Sequence, residues 1–431
     1  MKKISFIIIF LSGCLDLYAN PGLAECYRLS EANYPLAKQF GAEQNISALL
    51  IDNYNALYLP QMKLIGQAQY QSDVTKIELD LNIQIPGFKM PEIPAPTNDQ
   101  YKIGLSVNQL IWDGGAIEAS KELELANTRV SQQNISTRLY GLKQQVNEAY
   151  FGILILDKNI KSLEVLNQTL GAKLDKVNAT VAGGAALQLT ADIIAAEILK
   201  NEQGIIKLKA RKSAACRVLA DLTGTVINEN EELALPEPGM PENEPAPGAR
   251  PEYKTFALAG GQIDKYSALA DAKWMPKVSA FGQAMYGRPG LNMFESGFQA
   301  YYIVGVQASW DFWPWGTKQR DKEILSVKKD MIGISESVFT LGLKIQGRQY
   351  AGEINNYESM IEKDMDIIGL RKNIALAVSN QLDNGVITVS DYIAEVNAEA
   401  LAKLNLEIHK IELLQAKANL LVIFGEIEKI R

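Results

Sequence analysis

The chain contains an internal repeat, and this feature most constrains how it can fold. The stretch YLPQMKLIGQAQY at residues 58–70 returns as WMPKVSAFGQAMY at residues 274–286, so matched residues lie 216 positions apart. Further along, identical residues recur at an offset of 201: Gly104 and Gly305, Trp112 and Trp313, Gly184 and Gly385. The first repeat therefore carries 15 residues more than the second (216 − 201). The sequence predicts two similar units of roughly 200 residues each.

Apolar and polar residues alternate in the repeated stretch, which predicts a β-strand. Met62, Leu64, Gly66, Ala68 and Tyr70 alternate with Gln61, Lys63, Gln67 and Gln69. The same pattern predicts four strands, at about residues 60–79 and 101–113 in the first repeat and 275–287 and 301–313 in the second. Between the strands of the first pair lies a proline-rich loop.

Long helices are predicted after each strand pair. No proline occurs between Pro96 and Pro236, and none follows Pro314. Because proline breaks helix interiors, these stretches favour helix. One of them contains apolar residues at alternating spacings of three and four, the pattern of a coiled-coil seam or of a packed helix bundle: Leu139, Leu142, Val146, Ala149, Ile153, Leu156, Ile160 and Leu163.

The predicted organisation is a first repeat at 20–226, an acidic, proline-rich linker at 227–250, and a second repeat at 251–431. The predicted order of elements in each repeat is helix, strand, loop, strand, long helix, turn, helix. Four strands are too few to close a barrel, because the smallest transmembrane barrels have about eight. Open sheet edges are not tolerated in lipid. If these strands enter a membrane, several chains must contribute to one barrel.

Composition excludes several classes of function. A formal net charge of −7 argues against nucleic-acid binding, which needs a basic face. The single histidine, His409, and three cysteines without metal-like spacing argue against a metal site. Cys26 and Cys216 are expected to be free thiols, with a disulfide between them as the alternative. The sequence contains no nucleophile or phosphate-binding motif, so we expect neither an enzyme nor a cofactor.

The first 19 residues resemble an export signal, with two lysines, a short apolar run and small residues before a cleavage site after Ala19. Alternatively, the LSGC stretch resembles a lipobox, which would make Cys14 a lipidated N-terminus. In either case the protein is expected to leave the cytoplasm. No later apolar run is long enough for a transmembrane helix, so any membrane insertion must come from strands.

Several stretches in order along the chain resemble the TolC-like outer membrane efflux proteins: LAECYRLSEANYPLAK, YLPQMKLIGQAQY, IWDGGA, RPEY, WMPKVSAFGQAMY, FWPWGTK and GVITVSDYIAEVNAE. The resemblance covers essentially the whole mature chain. It implies a mixed α and β membrane protein with a long coiled-coil α-helical barrel. It also implies that each chain contributes four strands to a trimeric 12-stranded transmembrane β-barrel.

The same resemblance implies a passive channel in the bacterial outer membrane with a periplasmic helical domain. Its implied partners are two further copies of the chain, outer membrane lipid, a periplasmic adaptor (membrane fusion) protein and an inner-membrane transporter of the RND, ABC or MFS class. The channel would serve efflux or type I secretion. Four aromatic residues are expected near the membrane interface, with a place in the core as the alternative: Tyr58, Trp112, Trp274 and Trp313.

The resemblance places a gate at the turns near residues 182–192 and 383–391. Asp391 matches a carboxylate that lines the pore entrance in the family, and Glu395 and Asp192 are further gate candidates. Asp391 also has capping-box spacing from Thr388, so a helix cap is the alternative role. The expected adaptor-docking residues, which small hairpin turns would also explain, are Gly183, Gly184, Ala185, Ala186, Leu187, Gly385, Val386, Ile387 and Thr388.

A competing hypothesis is a periplasmic coiled-coil structural or adaptor protein without a membrane barrel. It accounts for the heptads and the export signal but leaves the duplicated strand pairs without a purpose. A passive channel takes its substrate from the pump that it meets, so the sequence does not identify the substrate.

Overall fold

The structure is a computed structural model that describes residues 20–77, 95–241, 250–292 and 294–430. The predicted export signal with Cys14, and residues 78–94 with the end of the first predicted strand, lie outside these ranges. The chain forms two compact units. The first, here the helical unit, comprises Met1–Gln39, Gln133–Lys254 and Glu336–Arg431, and the second, the sheet unit, comprises Phe40–Gln132 and Thr255–Ser335. Each unit draws residues from both repeats.

The described residues contain eight α-helices, which alternate with strands in the order that the sequence predicts. Their bounds are α1 Leu23–Asn33, α2 Gln39–Ala56, α3 Ala116–Tyr140, α4 Leu142–Ala182, α5 Gln188–Thr223, α6 Pro251–Lys273, α7 Thr317–Asp383 and α8 Val389–Phe424. Short 3-10 helices lie at Pro35–Lys38 and Ile427–Lys429. The four strands are β1 Gln61–Tyr70, β2 Asp99–Trp112, β3 Lys277–Arg288 and β4 Gln299–Ser309.

The four strands form one antiparallel sheet in the order β1-β2-β3-β4. Within the sheet, Leu64 pairs with Leu105, Leu105 with Ala284, and Ala284 with Tyr302. Because directly paired residues share a face, this register gives the sheet one apolar side, to which all four strands contribute large apolar residues. The lysines, the serines and all the strand glutamines except Gln109 lie on the opposite side, together with a few apolar residues such as Phe281 and Met285.

The strands end earlier than the sequence predicts, and prolines are the physical reason. β1 stops at Tyr70 and residues 71–77 lie outside the sheet, although the alternation predicts a strand to about residue 79. Its partner β2 cannot extend to meet those residues because Pro96, which lacks an N–H, lies just before it. Likewise β4 ends at Ser309 rather than near 313, because its partner Lys277 follows Pro276.

Two glycines of the sheet are required by close approach of a neighbouring side chain. A Cβ atom at Gly104 would clash with the sulfur of Met285. A Cβ atom at Gly305 would lie 2.9 Å from the ring of Phe281. Gly104 of β2 and Gly305 of β4 are matched positions of the two repeats. Both are glycine because each strand lies beside β3, on opposite sides of it, and each faces a bulky β3 side chain.

The helical unit buries the apolar seam that the sequence predicts. Of its eight residues, Leu139, Leu142, Val146, Ile153 and Ile160 are buried and the other three are half-buried. The helix is interrupted at Gly141, and the following helix α4 packs against α5 and α8. The prediction of a long helix with one packed seam is therefore confirmed.

Both cysteines of the described residues are buried free thiols. Burial raises the pKa of Cys26 to about 12. It also raises the pKa of Cys216, chiefly through desolvation. The alternative of a Cys26–Cys216 disulfide is wrong in this structure.

Within the described ranges, the helices include none whose length and hydropathy suit a membrane span.

A fully buried asparagine joins three helices of the helical unit. The Asn147 side chain accepts a hydrogen bond from the Tyr27 hydroxyl of α1, and its Nδ2 donates to Asn419 Oδ1 of α8 at 2.7 Å. Tyr27 and Asn147 are both almost inaccessible to solvent. Asn147 therefore supplies the hydrogen-bond partner that each of these two side chains needs in the buried interior.

We expect Asn147→Leu to destabilise the helical unit by about 1–3 kcal/mol, because the buried Tyr27 hydroxyl loses its acceptor. Adding Tyr27→Phe removes the orphaned hydroxyl, so the double variant should be less destabilised than the sum of the single variants. Thermal unfolding followed by circular dichroism in detergent measures the difference. Strict additivity of the two substitutions would contradict this account.

Candidate functional site

Two helix-to-helix turns of the helical unit share one backbone geometry. The first tip, residues 183–187, joins α4 to α5, and the second tip, residues 384–388, joins α7 to α8. Gly184 and Gly385 have φ of +74° and +69°. In each tip the glycine N–H bonds three residues back, and the next N–H bonds five residues back at 2.9 Å. This is the Schellman motif, which favours glycine because the left-handed conformation carries no Cβ penalty there.

The second tip has a side-chain cap at the start of α8. Asp391 Oδ2 accepts hydrogen bonds from the Thr388 hydroxyl at 2.6 Å and from the Thr388 backbone N–H at 3.1 Å. In return, the Asp391 backbone N–H donates to Thr388 Oγ1 at 3.2 Å. These contacts form a complete capping box. The capping role that the sequence offers for Asp391 is therefore present.

The capping box also keeps the Asp391 carboxylate charged. The pKa of Asp391 lies below its ordinary value, first because of the Thr388 hydroxyl and then because of the Thr388 backbone N–H. Both groups stabilise the ionised form. The carboxylate is fully exposed, so the residue can hold the helix end and present negative charge to solvent at neutral pH.

The other two gate candidates lie on the same helices but have separate partners. Glu395, one turn after Asp391 on α8, forms an ion pair with Arg371 of α7 at 2.8 Å. Asp192 lies on α5 and accepts a hydrogen bond from Gln188 at 2.9 Å. By the offset of 201, the counterpart of Asp391 in the first repeat is Thr190, not Asp192. Only the second tip thus begins its helix with a carboxylate.

The tips rest on an apolar core and expose a few large side chains. The buried core residues beneath them come from α4, α5 and α8: Leu166, Leu170, Val177, Ala191, Ile194, Val389, Tyr392, Ile393 and Val396. Ile387 packs against this core, and its matched residue in the first tip, Ala186, is also half-buried. Leu187 and Val386 are 73% and 70% exposed, and Gly183, Ala185 and Thr388 are also exposed.

A buried lysine ties the end of α7 to α4. Lys173 of α4 is only 5% exposed, and its Nζ donates to Asp383 Oδ1 at 2.6 Å, next to the second tip. The same Nζ lies 3.3 Å from the Ser379 carbonyl oxygen and 4.9 Å from the centre of the Tyr392 ring. Sequence reasoning missed this contact, because no spacing along the chain signals that residues 173 and 383 meet.

The four predicted interface aromatics lie in the sheet unit, and none of them is buried. Tyr58, Trp112 and Trp313 are exposed, and Trp274 is half-buried. Three neighbours were not predicted: Trp310, Phe312 and Trp315 are also exposed, and the Trp313 and Trp315 rings stack edge to face at 5.8 Å. The aromatic run WDFWPW between β4 and α7 is the signal that could have identified them. The alternative of a core position for these aromatics is not supported.

No described residue covers the apolar side of the sheet. Large residues from all four strands are exposed on it: Met62, Leu64, Tyr70, Tyr101, Ile103, Leu105, Tyr286, Tyr302, Val304 and Val306. Leu64 and Val304 on the two outer strands are 77% and 72% exposed. A continuous apolar surface of this kind marks a site of contact with lipid or with another protein.

Among the residues that the structure describes, no group of three or more His, Cys, Asp or Glu side chains could hold a metal ion. His409 instead pairs with one carboxylate, its Nδ1 lying 2.6 Å from Asp364 Oδ2. The candidate site is thus a pair of helix tips in one unit and an uncovered apolar sheet in the other.

Solved outer membrane channels have a similar fold. The outer membrane protein VceC of Vibrio cholerae is 12% identical, with a TM-score of 0.62 over 94% of this chain and 96% of that one. The CmeC channel of Campylobacter jejuni is 13% identical, with a TM-score of 0.61 over 95% and 86%. The open state of the MtrE channel of Neisseria gonorrhoeae is 15% identical, with a TM-score of 0.61 over 95% and 90%.

No family model and no curated protein matches the sequence. The structural likeness confirms the predicted resemblance to TolC-like outer membrane efflux proteins: long helices and a four-stranded antiparallel sheet form the fold of these channels.

We expect Asp383→Asn to loosen the second tip, because the buried Lys173 would lose its carboxylate partner. The cost should be on the order of 1–3 kcal/mol, less than for a fully buried pair because Asp383 is half exposed. Lys173→Met is the matched variant, since it removes the buried charge and should be close to neutral. The rate of protease cleavage at the second tip, compared between the two variants and the unmodified protein, measures how far the tip has loosened. Equal cleavage in Asp383→Asn and in the unmodified protein would contradict it.

Proposed function

We propose that this chain is one protomer of a trimeric outer membrane channel that serves a tripartite efflux or type I secretion system. The uncovered apolar side of the sheet, in a fold shared with outer membrane channels, carries the proposal. Lipid-facing apolar residues of transmembrane barrels alternate with residues that face the lumen. In all four strands here, the apolar side alternates with a side that carries most of the polar residues. Lipid is the partner that fits this face, and the polar side then lines a water-filled passage.

The edges of the sheet favour assembly with other copies of the chain. β1 and β4 each pair on one side only among the described strands. Unpaired backbone groups cost several kcal/mol each in lipid. A head-to-tail ring, in which β4 of one copy pairs with β1 of the next, removes every edge. Three copies then give the 12-stranded barrel that the family resemblance implies.

The dimensions of the sheet fit a bilayer. The apolar side of β1 runs from Met62 to Tyr70, eight steps of about 3.3 Å or roughly 26 Å along the strand. A strand tilt of about 40° shortens this to roughly 20 Å, close to the apolar band of about 25 Å in outer membrane barrels. The exposed aromatic residues at the strand ends suit the two membrane interfaces.

The helix tips supply the second part of the proposal. We infer that both tips lie at the periplasmic entrance, where Asp391 of three copies forms an acidic ring, with Glu395 and Asp192 as additional gate residues. The exposed Leu187 and Val386 suit contact with a periplasmic adaptor, together with residues 183–186 and with Gly385, Ile387 and Thr388. An inner-membrane transporter of the RND, ABC or MFS class would deliver the substrate.

The alternative of a periplasmic coiled-coil adaptor is less favourable. It would leave the apolar side of the sheet in water, where a continuous apolar surface promotes aggregation. It would also leave both sheet edges unpaired. No observation favours it over the channel.

The repeat predicts the register of the junction between copies. β2 and β3 pair within the chain, with Ser106 opposite Gln283. Their matched residues in the other repeat are Gln307 of β4 and Gln67 of β1. The two edge strands of one chain are three strand spacings apart, roughly 14 Å, which is too far for a disulfide. A bond between these positions must therefore join two copies.

We expect Gln67→Cys with Gln307→Cys to yield covalent dimers and closed trimers of a protein that sediments with the outer membrane. The native thiols are buried and should not interfere. Non-reducing gels after mild oxidation, and sizing of the detergent extract, measure this. Gln67→Cys with Ile303→Cys is the control, because it is four residues out of register. A soluble monomer or dimer without cross-links would overturn the channel proposal.

A second pair of variants separates the charge of Asp391 from its capping role. Asp391→Asn retains an oxygen acceptor for Thr388 but removes the charge, whereas Asp391→Ala removes both. If the acidic ring exists, both variants should raise single-channel conductance and weaken block by multivalent cations in a planar bilayer. Wild-type conductance and block in Asp391→Asn, with a change only in Asp391→Ala, would leave Asp391 as a helix cap alone.

A further inference from the structure

The polar side of the sheet carries positive charge only. Lys63 of β1, Lys102 of β2 and Lys277 of β3 lie on this side, and no Asp or Glu of the four strands does. The single carboxylate within the strands, Asp99, pairs with Tyr70 in the ladder and so lies on the apolar side, where it forms an ion pair with Arg288. The imbalance stands out because the whole chain has a net charge of −7.

These lysines are not neutralised by their neighbours. In the ladder, Lys63 lies opposite Ser106, Lys102 opposite Gln67, and Lys277 opposite Ser309. Each neighbour is uncharged. None of the three ammonium groups forms an ion pair with a carboxylate in the described part of the chain. Their charges therefore act on the water in front of this face.

The lysines are spread along the length of the sheet. Measured along β2, Lys102 and Lys63 occupy the rows of residues 102 and 106, and Lys277 lies just beyond the row in which Val278 pairs with Trp112. The first two rows are four residues apart, or roughly 13 Å, and the third lies six residues further along β3, or roughly 20 Å. A solute that moves along this face, parallel to the strands, passes all three rows of lysines.

Two simpler explanations do not fit. A lipid-facing place for the lysines would cost about 2–4 kcal/mol for each one near the bilayer centre, and would turn the apolar side to water. Lysines also protect edge strands from aggregation, but Lys102 and Lys277 lie on the central strands β2 and β3. Only Lys63 is on an edge.

We propose that the strand-lined part of the channel selects for anionic solutes over cations, through three lysines per chain. This inference rests on the proposed trimeric barrel, in which nine lysines line one lumen. A passage lined by one sign of charge concentrates counter-ions and excludes ions of its own sign. The acidic ring proposed at the helix tips and the basic lumen then act on opposite classes of ion.

The size of the proposed barrel makes the effect strong enough to matter. Twelve strands spaced about 4.8 Å apart and tilted by about 40° give a backbone radius of roughly 12 Å. An extended lysine reaches about 6 Å inward. At the level of each lysine row, water at the centre of the lumen then lies about 6 Å from an ammonium group, which is within one Debye length of about 8 Å at physiological salt. Screening therefore leaves the field effective across the lumen.

The test compares the unmodified protein with a Lys63→Gln, Lys102→Gln, Lys277→Gln triple variant in planar bilayers. The reversal potential in a potassium chloride gradient reports the permeability ratio of chloride to potassium. We expect the unmodified channel to favour chloride, and the triple variant to lower the ratio several-fold. The difference should fade near 1 M salt, where the Debye length falls to about 3 Å.

The corresponding Lys→Arg triple variant is the control, because it keeps the charge and should keep the selectivity. A channel whose permeability ratio is the same in the Gln variant would overturn the inference and leave the channel itself intact. Failure of the unmodified protein to form any conducting trimer would instead overturn the proposed function. The two failures are thus distinct.

Discussion

The pairing of backbone groups at the two edges of the sheet is the constraint on which the rest of the structure depends. Among the described strands, β1 and β4 pair on one side only, and an unpaired edge is not viable in lipid. The duplication supplies a solution within the chain itself. The β2–β3 junction joins one repeat to the other, and in the proposed ring the β4–β1 junction between copies is its repeat-related equivalent. Six strand pairs from three chains would then close through junctions of one kind.

The sequence predicts this framework well because the residues kept in both repeats have the same physical role in each repeat. Gly184 and Gly385 both adopt positive φ in Schellman turns, and Gly104 and Gly305 both face a bulky β3 side chain. The long stretches without proline predict the long helices, because proline breaks helix interiors. The predictions were less accurate at strand ends, where Pro96 and Pro276 limit a strand through its partner. The Lys173–Asp383 contact was not predictable, since it depends on tertiary packing of α4 against α7 and α8.

The two tips show how matched turns have diverged. Thr388 and Asp391 form a capping box, whereas the matched residues Leu187 and Thr190 give α5 no side-chain cap. The backbone turn is the same, so the carboxylate is not required to make it. The second tip differs in having the Asp391 carboxylate, whose ionised form is stabilised by two hydrogen bonds from Thr388. In the proposed trimer, tips with a capping carboxylate would alternate with tips that lack one.

The same comparison applies to the sheet. Lys63, Lys102 and Lys277 correspond to Ser279, Ile303 and Gln61 in the other repeat, so each lysine occurs once although its strand occurs twice. A residue needed for strand pairing or packing would be expected at both positions, as the glycines are. The lysines and Asp391 are instead the positions at which two copies of one framework differ in charge. The shared residues thus account for the fold, and the unshared charges account for how a passage built on that fold would treat ions.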